Sequence, residues 1–387
     1  MKSAAQSAPQ KLLPALFALL LAVLFNVQLR AVDEPTPAPL PAPVSNNAVA
    51  ISHDQGSPKI FSFMGIGPKK TWDAITTATY ELDLATGKWT EEHPVPGVAG
   101  RLAASAVALH DQVFIFGGYI VDSQGGEHTV PDLNVFVPAE NRYYRGKDMP
   151  VPVDDAVVGL YRDRYIFVIG GWSSAEGPTG GPVRNVQIYD TDTDTWLQAT
   201  PIPGTPVFGH AGAIVGDTIV YVDGAYKNPY GGSPKFVSSR ECWMGKIPTS
   251  RKADITKIDW FNLPVHPGAA RYRIAAGAGL SEKKDSHVYF TGGTDTPYNY
   301  NGIGYNGRPA EPSPVTFAFN AATEEWETIE ANPDATPGPA SNVPTSTPTM
   351  DHRGLLVTPS GLIIVGGMEK GQKVTDKVTV VKLPVKK

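Results

Sequence analysis

Arg101, Asp154, Asp155, His210, Arg271, Arg273, His352 and Arg353 all stand just ahead of short runs of small apolar residues. If those runs are neighbouring strands, the charged groups are gathered on one side of them. Arginine there suits a small anion, because its planar fork donates two parallel hydrogen bonds to a carboxylate. His210 and Asp223 are the groups of a kind that takes and returns a proton. Arg240, Trp172, Tyr226, Tyr300 and Asn301 fall in Gly- and Pro-rich stretches, where aromatic faces and side-chain amides can meet a sugar ring. These, with Arg101, Arg273, His352 and Arg353, form the expected ligand-binding set. No metal is expected, and no cofactor. The spacing of Asp190, Asp192 and Asp194 begins like a calcium loop but lacks its glycine and distal glutamate. Cys242 is the one cysteine, which excludes an intrachain disulfide, a Cys-based zinc cluster and a CxxC redox pair.

The elements that position these groups are repeated. A hydrophobic strand ending in small residues recurs as KIFSFMGIG from Lys59, VFIFGG from Val113, YIFVIGG from Tyr165, TIVYVDG from Thr218, HVYFTGG from His287 and LIIVGG from Leu362. An alternating strand follows each: TYELDL, LNVFV, VQIYD, ECWMGKI, VTFAF and VTVVKL. A turn and an aromatic come next in five units, at Trp89, Tyr143, Trp196, Trp260 and Trp326. With the short strand before each diglycine, four strands per unit make a propeller blade. In a four-stranded antiparallel blade the loops after strands two and four share one face. The long loops at 119–132, 172–184, 226–240 and 294–313 and the charged lead-in residues therefore lie on the same face, the expected ligand face.

The pattern resembles the kelch repeat over residues 45–385, which implies an all-β, six-bladed propeller of four-stranded antiparallel blades. In the first unit the diglycine reads Gly65-Ile-Gly67, and in the fourth Asp223-Gly224. The sixth unit stops one strand short, so residues 38–44 are expected to pair with the strand Val378 to Leu383 and close the ring.

Finer details resemble the bacterial sialic acid mutarotases. They are the Asn/Tyr/Gly-rich stretch from Tyr298 to Gly307, the LIIVGG blade with KVTDKV from Lys373, and Arg101 after a glycine. The resemblance implies an exported isomerase that binds N-acetylneuraminate or a related acidic sugar and interconverts its anomers. The glutamate which that family places directly after the glycine of the fourth blade is Ala225 here, and Arg240 is the one arginine that could stand for the family's arginine. The base would then be Asp223 or His210. A non-catalytic glycan- or protein-binding propeller is the alternative reading. A copper oxidase of the galactose oxidase type, with Cys242 as thioether partner, is a remote one.

The formal charge of −5 and the absence of a basic stripe argue against nucleic acid as a partner. Lys2 and Lys11 precede the apolar run 12–25, a pattern expected of a signal peptide or anchor over residues 1–31. A Pro-rich linker over residues 32–44 and the propeller over 45–387 follow. The expected location is periplasmic or secreted, with no membrane span in the mature form.

Overall fold

The computed structural model describes residues 35–53, 56–97, 99–280, 284–329 and 348–383. The expected signal segment lies outside the described residues. Among the described residues no helix is long and apolar enough to cross a membrane. The regular structure among the described residues is β apart from three short 3-10 turns.

Six antiparallel sheets form the propeller's blades, and in each the chain runs outward from the hub. The innermost strands are Ala48–Ser52, Ser105–Leu109, Val157–Tyr161, Ala211–Val215, Ala275–Ala278 and Leu356–Thr358. Their small side chains follow from crowding at the hub. A Cβ on Gly277 would lie 2.2 Å from the Leu355 carbonyl oxygen, and one on Gly159 2.4 Å from Ile214. Second strands such as Thr218–Val222 are buried along their length, because blades cover both faces. Fourth strands such as Lys88–Glu92 turn a polar edge to solvent.

Immediately after each second strand two residues adopt left-handed backbone. The pairs are Met64-Gly65, Gly117-Gly118, Gly170-Gly171, Asp223-Gly224, Gly292-Gly293 and Gly366-Gly367. The first unit's pair is thus Met64-Gly65, one residue earlier than Gly65-Ile-Gly67 suggested. The second member must be glycine, since a Cβ there would meet the carbonyl leading into its own blade, at 2.6 Å for Gly65 and 2.4 Å for Gly171.

The fourth-strand tryptophans fasten neighbouring blades. Trp196, Trp260 and Trp326 each donate Nε1–H to the backbone carbonyl of the preceding blade's tail, at Lys147, Thr200 and Pro264. Trp89 of the first blade donates to Ala38 at 2.8 Å. Six residues beyond the aromatic, the amides of Val95, Met149 and Ile202 bond back to carbonyls of their own blades at Thr77, Pro131 and Arg184. Leu40 makes the same bond to Asp376 at 2.7 Å.

The expected pairing of residues 38–44 with the strand Val378 to Leu383 is not made: among the described residues that strand pairs with Gly361–Val365, and the N-terminal segment joins the first blade to the sixth through single bonds of Ala38 to Gly87, Leu40 to Asp376 and Val44 to Thr375. Residues 36–44 are the tail that follows a fourth strand, and any fourth strand of the sixth blade lies outside the described residues. Pro37, Pro39, Pro41 and Pro43 remove every second amide, so the segment can only tack to its neighbours, through Ala38, Leu40 and Val44.

Candidate functional site

At the hub, one residue per blade leads into the innermost strand with positive φ: Asn46, Ala103, Asp155, Gly209, Arg273 and Asp351. These positions hand hydrogen bonds around the ring. The amides of Asp155, Gly209 and Arg273 donate to the carbonyls of Ala103, Asp155 and Gly209, and Asn46 donates to Asp351. The Asn46 side chain accepts from the Ala103 amide, and the amide of His352, next to Asp351, donates to the Arg273 carbonyl and completes the circle.

Inside this ring the charges are balanced. Arg273 bonds Asp155 through Nη2 at 2.8 Å and Asp351 through Nη1 at 2.9 Å. Arg353 Nη2 lies 2.9 Å from Asp155 Oδ1. Tyr298 and Asn46 also donate to Asp351 Oδ1, and Ser45 to its Oδ2. Burial opposes the charge on Asp155, yet Arg273 and Arg353 outweigh it and hold its carboxyl below the usual range. Next to it, burial and the charge of Asp155 push the Asp154 carboxyl well up. His210 and His352 are both brought down to about 4 by burial. His210 Nε2 faces the Ile169 carbonyl at 3.0 Å, while His352 Nε2 meets Thr349 Oγ1. Beneath the knot runs a channel of about 260 Å³ along the innermost strands, ending at Asp155, His210, His352 and Arg353.

On the loop face this centre is roofed by aromatic rings. Trp172, Phe208 and Phe236 pack edge to face, Phe236 meets Tyr305 at 4.6 Å, and Phe208 leads through Tyr272 to Tyr298. Trp172 is thus a packing residue, with Lys227 over its ring. Tyr300 packs on Leu102 and its neighbours, and Asn301 Oδ1 accepts from the Ile303 amide. Ala225 is wholly buried in the same aromatic cluster, so the position offers no group to a ligand.

Of the arginines singled out in the sequence, Arg240 alone is exposed. Arg101 is enclosed against Asn134 Oδ1, at 2.7 Å, and the Met64 sulfur, and burial lowers its guanidinium to about 10. Arg240 stands at the loop-face rim of the fourth blade. There it borders a pocket of about 480 Å³ with Tyr226, Ser238, Ser239, Thr205 and Asn262. Its Nη2 donates to the carbonyls of His266 and Gly268, at 3.4 and 2.7 Å, which fixes the fork and leaves Nε and Nη1 to donate elsewhere. Among the described residues no carboxylate forms an ion pair with Arg240. Cys242 lines the same pocket from below, its thiol pushed up to about 12 by burial.

Asp223 does not meet His210. It pairs with His266 at 2.7 Å, both side chains closed to solvent, and Asp223 Oδ2 also accepts from the Arg271 amide. Burial raises the Asp223 carboxyl, against the bond from His266. Sequence reasoning missed His266, whose signal is positional. It lies six residues beyond Trp260, where other blades carry Val95, Met149 and Ile202.

A family profile described as "Kelch motif" matches residues 161–203, from the end of the third blade's innermost strand to its tail. Two curated relatives are similar in sequence. Kelch-like protein terF of Aspergillus terreus (strain NIH 2624 / FGSC A1156) is 27% identical over 245 residues, 62% of this chain and 47% of that protein. Kelch-like protein 15 of Gallus gallus is 28% identical over 116 residues, 30% of this chain and 22% of that protein. The matched stretches span less than half the length of either relative. Among solved structures, one titled "Structure of YjhT" aligns with a TM-score of 0.67 at 17% identity, covering 91% of this chain and 98% of that one. At that identity the likeness is one of fold. The chain is a six-bladed β-propeller that carries a kelch motif.

Proposed function

We propose that this protein is an exported binding propeller for a small acidic sugar, held at the rim pocket of the fourth blade with its carboxylate on Arg240. The reading rests on one observation above the others: an exposed guanidinium, oriented by two backbone carbonyls and paired with no carboxylate, borders a sugar-sized polar pocket. Tyr226 supplies an aromatic surface, and Ser238, Ser239, Thr205 and Asn262 supply hydroxyl and amide partners. The hub is the poorer candidate, because Arg273 and Arg353 already serve Asp155 and Asp351. Binding is favoured over anomer interconversion. That reaction needs an acid and a base within reach of the sugar, and Asp223 and His266 are closed to solvent.

Titration calorimetry with N-acetylneuraminate and glucuronate, against N-acetylmannosamine and glucose, tests the reading. The acids bind and the neutral sugars bind weakly. Arg240→Ala weakens the acids by about 1.5 to 3 kcal/mol, the worth of a hydrogen bond to a charged group. Equal binding of acidic and neutral sugars, or no effect of the substitution, overturns the assignment. Anomer-exchange NMR on the same samples reads catalysis separately.

A further inference from the structure

The repeat provides its own comparison for the junction between the fourth and fifth blades. Three positions meet at each junction whose tail is described: the first residue of the diglycine pair, the tail residue six beyond the aromatic, and the residue two before the hub ring. At the second and third junctions these are Gly117, Met149, Val153 and Gly170, Ile202, Val207; at the sixth they are Gly366, Leu40, Val44; at the first they are Met64, Val95 and Arg101, so a buried arginine recurs but the acid and the histidine do not. A Cβ on Gly117 would touch both Val153 and Met149, so the three positions are in contact. At the fourth junction all three are polar: Asp223, His266 and Arg271.

This replacement is costly by two routes. Asp223 takes φ 64, a conformation that the other blades give mostly to glycine. The three side chains are also buried, at 1%, 1% and 7% exposure, and Asp223 Oδ1 and Arg271 Nε have no hydrogen-bond partner. The packing alternative is present elsewhere in the same chain, so packing alone does not account for the trio.

The trio's contacts lead to Arg240. His266 Nδ1 faces the Pro267 carbonyl at 2.8 Å and Nε2 faces Asp223 Oδ2. The ring is thus held at both nitrogens, and a stacked Phe317 covers its face at 4.4 Å. The anchored segment 266–268 presents two carbonyls, of His266 and Gly268, and these hold the Arg240 fork.

We infer that Asp223, His266 and Arg271 form a buried positioning unit which sets the 266–268 segment, and through its carbonyls Arg240, in the attitude that receives an anionic ligand. The inference rests on the proposed acid-binding function of that pocket. The unit touches no ligand and acts through Arg240.

The repeat also supplies the test. Asp223→Gly and His266→Leu return two of the positions to the residues that other blades carry. The double variant is expected to keep an unfolding midpoint equal to or above that of the natural protein, while its affinity for N-acetylneuraminate falls at least tenfold. Asp223→Asn can still bond His266 through its amide and recovers affinity to within about threefold of the natural protein. Unchanged affinity in the double variant, or no recovery with Asp223→Asn, overturns the inference. A ligand-free measurement separates it from the function it rests on. The Arg240 Nη2 protons, which the two carbonyls hold, are expected to exchange with water at least fivefold faster in Asp223→Gly than in the natural protein, and equal exchange overturns the positioning role even if no acidic sugar binds. If the double variant fails to fold, the affinity and exchange of Asp223→Asn and Asp223→Gly decide alone.

Discussion

At the scale of single residues, His210 and His352 tie folding to pH. Burial holds both at about 4 against an ordinary value of 6.5. Each is neutral in the fold, and the unfolded chain binds the extra protons between those limits. Their stabilisation is therefore complete above pH 6.5 and lost as pH falls towards 4, about 3 kcal/mol each. Urea midpoints are expected to decline from pH 6.5 downwards, before most carboxylates titrate, and His210→Gln to flatten part of that decline. A flat profile between pH 6.5 and 5 would contradict it. The hub arginines were legible in the sequence because arginine is conspicuous. Their neutralisation was not, since Asp351 and Asn46 reach the hub only through a left-handed residue in each blade, and φ is invisible in a list of residue types.

At the scale of elements, the tail over residues 36–44 takes the structural place of a fourth strand's continuation. Leu40 is 3% exposed and packs with Val44, Ile60, Leu82 and Ile363 across the first and sixth blades. Leu40→Ala is expected to cost about 2 to 5 kcal/mol in urea unfolding, the range for truncating a buried leucine, whereas Pro35→Ala leaves the midpoint within about 0.5 kcal/mol. An equal effect of the two would show that the tail is not seated. Strands, turns and the aromatic wedges were readable from period and from Gly and Trp. The tail's register was not, because Ala-Pro-Leu-Pro-Ala-Pro fits a strand edge and a tail equally well. The rim pocket also escaped notice as a unit, since Arg240 and Tyr226 were seen as members of one loop while Thr205 and Asn262 reach the pocket from two other segments.

At the scale of the whole molecule, the closed ring of hub residues has consequences for how the chain folds. Around the backbone of the ring each blade bonds a sequence neighbour, except where Asn46 meets Asp351, whose side chains also bond across 305 residues. Closing a loop that long costs about 5 kcal/mol beyond a constant, from the logarithmic dependence on length. Contacts of such high order form late, after the local hairpins of each blade. Ring closure therefore belongs to the far side of the folding barrier. Asp351→Asn is expected to speed unfolding while leaving the refolding rate nearly unchanged, and Ile188→Val, inside the third blade, to slow refolding. Stopped-flow chevrons measure both, and a slowed refolding limb for Asp351→Asn would place closure before the barrier. The bond that joins the first blade to the last thus acts on lifetime: it sets how long the folded ring persists once made, and has little say in how quickly it is reached.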